Sequence, residues 1–278
     1  METRVEFQKM INSIISDFGE DVLSYNQDEF WMVQSIYEYI EYYAVMNRMK
    51  NTAIALVLAR GLHNGSYRKL TIKRNGQTYR LPYLIHPLSV CRMLIDLHAP
   101  LSHDELDILY ATALCHDMIE DLDFRDGGKE LYTDYHLDPR VYENVTYLSK
   151  RYDFTSEQEE KFFHNIETHR IALLVKLSDR GNNVEDLYNM KVSKVYEYTG
   201  ETDHFFIPMC DYGIAHYPSL SSSFQILRDK IISLTEAARI LVIRYELEEN
   251  ILINKIKNLQ EENDDLRNEW KSLWRVEE

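Results

Sequence analysis

The apolar residues of this chain fall mostly three and four positions apart, the spacing that lines one face of an α-helix. Phe7, Met10, Ile11, Ile14 and Ile15 set that rhythm within residues 1–47, which read as one or two amphipathic helices. Residues 31–46 are rich in aromatics (Tyr37, Tyr39, Tyr42, Tyr43), which points to a packed face rather than a ligand cage. A further helix is expected over residues 50–63. Residues 70–81 switch to a period of two around Asn75-Gly76, a strong signal for a two-residue hairpin. From Pro87 the helical spacing returns. Ser102 stands as the N-cap of a helix that runs into an acidic string ending at Asp121, and Gly127-Gly128 closes that region. Helices follow at 139–151, 156–166 and 168–178. Residues 200–223 hold Gly200, Pro208, Gly213, Pro218 and a serine run, and read as a loop or flap. A long helix begins near Phe224. The pattern shows no internal repeat and predicts an all-α fold: a helical bundle with a small β-hairpin insertion and a long C-terminal helix. Its organisation is an N-terminal helical extension (1–47), a central domain (48–245) and the C-terminal helix (246–278).

Composition agrees and narrows the function. Only 9 Gly and 6 Pro in 278 residues argue against a many-turned β sandwich, and 45% apolar residues argue against disorder. The 31 Lys and Arg against 46 Asp and Glu leave a net charge of −15, which repels nucleic-acid phosphates and argues against a nucleic-acid partner. A phosphorylated substrate would need a metal ion or a local basic cluster to offset that repulsion. Cys91, Cys115 and Cys210 are widely spaced and odd in number, so neither a disulfide framework nor a zinc-binding Cys pattern is expected. The N-terminus lacks an apolar signal core, and the longest apolar runs fall far short of a membrane span. The expectation is a soluble cytoplasmic protein with no membrane partner.

The chemistry concentrates in three places. Residues 113–121 place His116 and Glu120, and likewise Asp117 and Asp121, one helical turn apart. Four polar groups at the end of an apolar helix are costly to bury. Either a bound cation holds them or the helix end is exposed. His86 precedes Pro87 at a helix start, and Asp179, Arg180, Asn182 and Asn183 end another apolar helix. Gly181 is unexpected at such an end. Lys176 and Arg180 read equally as ligand-facing cations or as partners of nearby carboxylates. His63 reads as structural, and Cys115 as packing in its apolar run.

Five strings occur in order: GLHNGSYRK (61–69), LPYLIHPLSVCRML (81–94), TALCHDMIED (112–121), VTYL (145–148) and LVKLSDRGNN (174–183). They resemble the HD-domain metal-dependent phosphohydrolases, in the RelA/SpoT-type (p)ppGpp hydrolase branch, whose motifs run AHxGxxRK, PYxxHPxxVxxxL, ALxHDxxED, VTxL and KLADRxxN. The resemblance covers about residues 50 to 195 and makes the central domain an HD hydrolase domain. It implies that His86, His116, Asp117 and Asp179 hold one Mn²⁺-like ion, and that Glu120 and Asp121 orient and deprotonate the attacking water. It also implies that Arg68 and Lys69 lie near the guanine nucleotide and Asn183 near its sugar. The implied reaction removes the 3′-diphosphate of guanosine tetra- or pentaphosphate, giving GDP or GTP plus pyrophosphate. Ser178 to Asn182 depart from the family's ADRLH, the hairpin is longer, and 1–47 and 200–223 are additions that would suit a lid. The overall length resembles the small, hydrolase-only members. Two alternatives stay open: another phosphorylated nucleotide as substrate, or a catalytically silent nucleotide-binding scaffold.

Leu252, Leu259, Leu266 and Leu273 fall seven apart, with Ile256, Asn263 and Trp270 between them. Leu at d with one Asn at a is the pattern of a two-stranded parallel coiled coil, with Glu262 and Arg267 able to pair between strands. A homodimer through this helix is therefore expected, against the alternative of a terminal helix folded onto its own domain.

Overall fold

The computed structural model describes residues 3–274 apart from 24–26, 75, 123, 151–153 and 188–189. Helix α1 (Arg4–Ile15) starts at a capping box in which Thr3 and Glu6 satisfy each other's backbone amides, and it buries Phe7 and Ile11. A short α2 (Glu20–Leu23) and a 3₁₀ turn (Gln27–Met32) lead into α3 (Gln34–Asn47). Of the aromatic run on α3, Tyr37 is buried and Tyr39 and Tyr43 are half-buried, while Tyr42 faces solvent. The buried residues of α1 and α3 belong to the same apolar cluster as the helices that follow, so the core is continuous across residue 47.

Helix α4 (Lys50–Leu62) ends in a turn where Gly65 takes φ +77°, a conformation that a side chain disfavours. Strands β1 (Tyr67–Arg74) and β2 (Gln77–Pro82) then pair antiparallel with Arg74 opposite Gln77, which leaves the two-residue connection the sequence predicts. Gly76 has φ +78° there, and Asn75 lies outside the described residues. Next come α5 (Ile85–Leu97) and α6 (His103–Cys115), the latter capped by Ser102 as expected. A one-turn α7 (Met118–Asp121), α8 (Glu130–Thr133), α9 (Pro139–Leu148) and α10 (Ser156–Glu167) follow. Helix α11 (Arg170–Glu185) packs against α5 and α6. No helix among the described residues is long and apolar enough to cross a membrane.

A buried carboxylate ties this centre together. Asp107 on α6 accepts from the backbone amides of Asn51 (3.0 Å) and Thr52 (2.8 Å), capping the start of α4 from a neighbouring helix. It also accepts from the Asn51 amide group and the Thr52 hydroxyl. Asn51 Oδ1 in turn accepts from the Asp138 amide at the head of α9 (2.8 Å).

Three expectations change. Residues 200–223 are not a flap: α12 (Val192–Glu201) runs through a π turn (Thr202–Phe206) into α13 (Ile207–His216), and a 3₁₀ turn (Pro218–Leu220) leads to α14 (Ser221–Trp274). Pro208 lies in the first turn of α13, where a missing N–H breaks nothing. Gly213 lets α13 approach α14, because a Cβ there would sit 2.7 Å from the Phe224 ring. Phe206, Met209, Cys210 and Leu220 all join the core. Helix α11 extends seven residues past the predicted 178, so Gly181 is a mid-helix residue facing Met93 rather than a helix end. Finally, α6 stops at Cys115 instead of running to Asp121. The His116 ring takes the Ala113 carbonyl at 2.8 Å, the acceptor that a continued helix would offer the Asp117 amide.

Candidate metal centre

The first turn of α5, the end of α6 and the middle of α11 meet at one point, and each brings a histidine or an aspartate. His86 and His116 approach Nε2 to Nε2 at 3.3 Å. Asp179 Oδ1 lies 3.1 Å from His86 Nε2 and 3.8 Å from His116 Nε2. Asp117 Oδ2 lies 3.2 Å from His116 Nε2 and 3.5 Å from His86 Nε2. His86, His116 and Asp179 are buried, which for His116 removes the exposed-helix-end reading. The break after Cys115 turns Asp117 into this cluster from the residue adjoining His116.

Second contacts fix which atoms face inward. A carbonyl only accepts, so His116 Nδ1 carries the proton it gives to Ala113. His86 Nδ1 lies 2.7 Å from Asn182 Oδ1, and Asn182 directs its amide group toward Glu185 at 3.5 Å. His86 therefore donates from Nδ1 as well. Both rings thus turn Nε2 toward each other and toward two carboxylates. These four atoms, separated by 3.1 to 3.8 Å in the five spacings above, repel unless protons or a shared cation lie between them. Donors around an ion bound at about 2.1 Å stand roughly 3.0 to 3.4 Å apart, so the donor set and its spacing fit a divalent metal. Two imidazoles and two carboxylates are a mixed N/O set of the kind first-row transition ions accept.

The surroundings complete the charge pattern. Lys176 Nζ pairs with Asp179 Oδ2 (3.3 Å) and Asn183 Nδ2 donates to Asp179 Oδ1 (2.7 Å), so Asp179 presents one oxygen inward. The Tyr83 hydroxyl donates to Asp117 Oδ2. Burial would push both aspartates up, but His116 and His86 overcome it at Asp117, and Lys176 with the two imidazoles at Asp179; both sit below the usual carboxylate range. Burial would lower His116, yet Asp117 and Asp179 hold it up to about 9. Glu120 and Asp121 go the other way. Burial first, then the negative charge of Asp117, raises both, although the Lys150 backbone amide donates to Glu120 and opposes its shift.

Not every predicted residue joins the cluster. Arg68 reaches α11, donating to Asn183 Oδ1 (3.2 Å) and pairing with Asp186 (3.0 Å). Lys69 is exposed, and among the described residues no ion pair or hydrogen bond joins it to the cluster. Lys176 belongs to the site, whereas Arg180 turns away to pair with Glu201 and stack 3.7 Å over the Phe206 ring. His63 is buried with its ring 4.9 Å from Tyr83, and burial pushes it down to about 4. It backs the site as a neutral packing group, as expected of a structural residue. The sequence reading missed Tyr83 and Asn182. Both lie inside the motif strings, but each supports a candidate ligand far away in sequence, Tyr83 on Asp117 and Asn182 on His86, so spacing gave no signal for them.

Known proteins share this segment. Over 187 residues, 64% of the chain, it is 26% identical to a guanosine-3′,5′-bis(diphosphate) 3′-pyrophosphohydrolase of Vibrio cholerae, covering 24% of that protein. Over 133 residues, 46% of the chain, it is 33% identical to the protein of the same name from Aquifex aeolicus, covering 18% of it. The chain is similar to the RelA/SpoT-type (p)ppGpp hydrolases over this segment. It is also 34% identical over 166 residues to a GTP pyrophosphokinase of Myxococcus xanthus, 56% of the chain and 20% of that protein. It spans about a fifth to a quarter of the length of these relatives. No family model matches it.

Proposed function

We propose that this chain is a Mn²⁺-dependent hydrolase that removes the 3′-diphosphate of guanosine tetra- or pentaphosphate, releasing pyrophosphate with GDP or GTP. One observation carries the reading: two imidazole Nε2 atoms, each with its Nδ1 proton committed elsewhere, converge with two carboxylate oxygens, on a chain similar to enzymes named for this reaction. His86, His116, Asp117 and Asp179 would hold the ion. When bound, it supplies Lewis-acid polarisation of a phosphoryl oxygen and a lowered pKa for the attacking water. Asn182 and the Ala113 carbonyl set the tautomers of the two rings, and Tyr83 steadies Asp117. Glu120 and Asp121, close after Asp117 on α7 and raised above their usual values by burial and the charge of Asp117, orient the water and take its proton. Lys176 keeps Asp179 ionised. Arg68 and Asn183, already joined, form the edge that meets the nucleoside side of the substrate.

A second substrate reading rests on that same edge. Arg68 is engaged by Asp186 and Lys69 is exposed, so base and sugar recognition departs from a simple carry-over, and another phosphorylated nucleotide remains the competitor. The test is product analysis with purified chain, Mn²⁺ and ppGpp beside a panel of 2′-, 3′- and 5′-phosphorylated nucleotides. Pyrophosphate and GDP are expected from ppGpp. Metal binding without pyrophosphate release from ppGpp would sink the substrate assignment. Glu120→Gln with Asp121→Asn is expected to cut turnover by about 10² to 10⁴ while Mn²⁺ still binds. Unchanged turnover contradicts their role.

A further inference from the structure

The end of α14 stands clear of the bundle, and every described side chain in residues 247–271 is exposed. Helices in proteins draw most of their stability from packing an apolar face. Yet Leu252 (60% exposed), Ile256 (54%), Leu259 (55%), Leu266 (65%) and Trp270 (63%) repeat at alternating four- and three-residue steps, with Asn263 filling the remaining place. The same steps run backward without a break through Glu249, Tyr245, Val242, Ala238, Thr235 and Ile231. The last four of these are buried, Val242 and Ala238 in a cluster with Val184, Leu187 and Val195. One face of α14 is therefore covered by the chain's own bundle up to Val242 and open from Tyr245 onward.

That continuity decides how a partner can lie. A helix running parallel along the open face would, upstream of Tyr245, enter the space that α11 and α12 fill on the same face. A helix running antiparallel occupies only the free length, and its bundle sits beyond the tip. We propose that residues 248–274 pair with the same residues of a second copy of this chain as a two-stranded antiparallel coiled coil. This replaces the parallel arrangement that the Leu and Asn pattern alone suggests. Full overlap sets Leu252 against Trp270, Ile256 against Leu266 and Leu259 against Asn263 of the second copy. In that register Lys255 lies beside Glu269 of the second copy, twice by symmetry, and Glu262 meets its own counterpart at the axis. Two attractive pairs stand against one like-charge contact, and the two free segments match in length because they are identical.

The chain's cysteines, Cys91, Cys115 and Cys210, are all buried, so a spin label on Lys271→Cys reports alone. Antiparallel overlap puts position 271 level with 251 of the second copy, so pulsed EPR should read about 30 Å at 1.5 Å per residue. Light scattering should give twice the 33.1 kDa chain mass. Leu259→Lys with Leu266→Lys alters only exposed positions and should return the monomer mass, with any loss of helicity limited to the projecting end of α14 and the melting temperature of the bundle kept. A monomeric parent chain at tens of micromolar, a label distance under roughly 20 Å as a parallel pair gives, or a double variant that stays dimeric overturns the proposal.

Discussion

The proton on His86 Nδ1 is held by Asn182, and that bond leaves Nε2 as the atom facing the cluster. Asn182→Ala should therefore weaken Mn²⁺ binding by about 10- to 100-fold, the usual effect of losing a histidine's supporting partner. Calorimetry on the variant checks this, and an unchanged affinity would mean the ring is oriented by packing alone. His63 gives a pH prediction at the same scale. Its folded-state pKa, lowered to about 4, lies below the unfolded value of 6.5, so the unfolded chain binds the extra proton. His63 therefore opposes folding progressively as pH falls from 6.5 to about 4. Between pH 7 and 5 this amounts to about 2 kcal/mol. Urea melts of the parent and His63→Phe at both pH values should show a flatter dependence in the variant; parallel losses of stability would contradict it. The candidate ligand residues were legible in the sequence because histidine and aspartate stand out in apolar strings. Asn182 and Tyr83 were not, because their roles exist only once α5 meets α11 and Tyr83 meets Asp117.

Among the elements, helix α4 is held at its start by a residue from α6 rather than by its own cap. Met49 is its N-cap and makes no side-chain cap bond, while Asp107 accepts from the Asn51 and Thr52 amides. Asp107→Ala would strand several buried donors and should cost about 3 kcal/mol, read as a lower urea midpoint with the slope kept. A loss below about 0.5 kcal/mol would show that other groups cap the helix. Helix existence was largely readable from the three-four spacing, and Ser102 and Asn75-Gly76 marked a start and a turn. The error at 200–223 came from treating Pro208 and Gly213 as breakers. Pro208 falls in a first turn, where it is tolerated, and Gly213 answers a close approach of Phe224 that only the tertiary packing reveals. The interruption after Cys115 was hidden for a related reason: a side chain competes there with the backbone for one carbonyl.

For the molecule as a whole, the net charge of −15 takes on a specific meaning. Most of the acids solvate the surface, but Asp117 and Asp179 are gathered with two histidines where α5, α6 and α11 meet. Glu120 and Asp121 stand beside them, raised rather than lowered. On the proposed reading, a chain this acidic would meet a phosphorylated substrate through a cation, which His86, His116 and Asp179 could hold. Titration of Mn²⁺ into the purified full-length chain tests this claim most directly. One ion per chain is expected, with affinity at least 100-fold weaker in Asp179→Asn and in His116→Gln and retained in Glu120→Gln. No saturable binding to the parent chain, or equal binding to Asp179→Asn, would contradict the account.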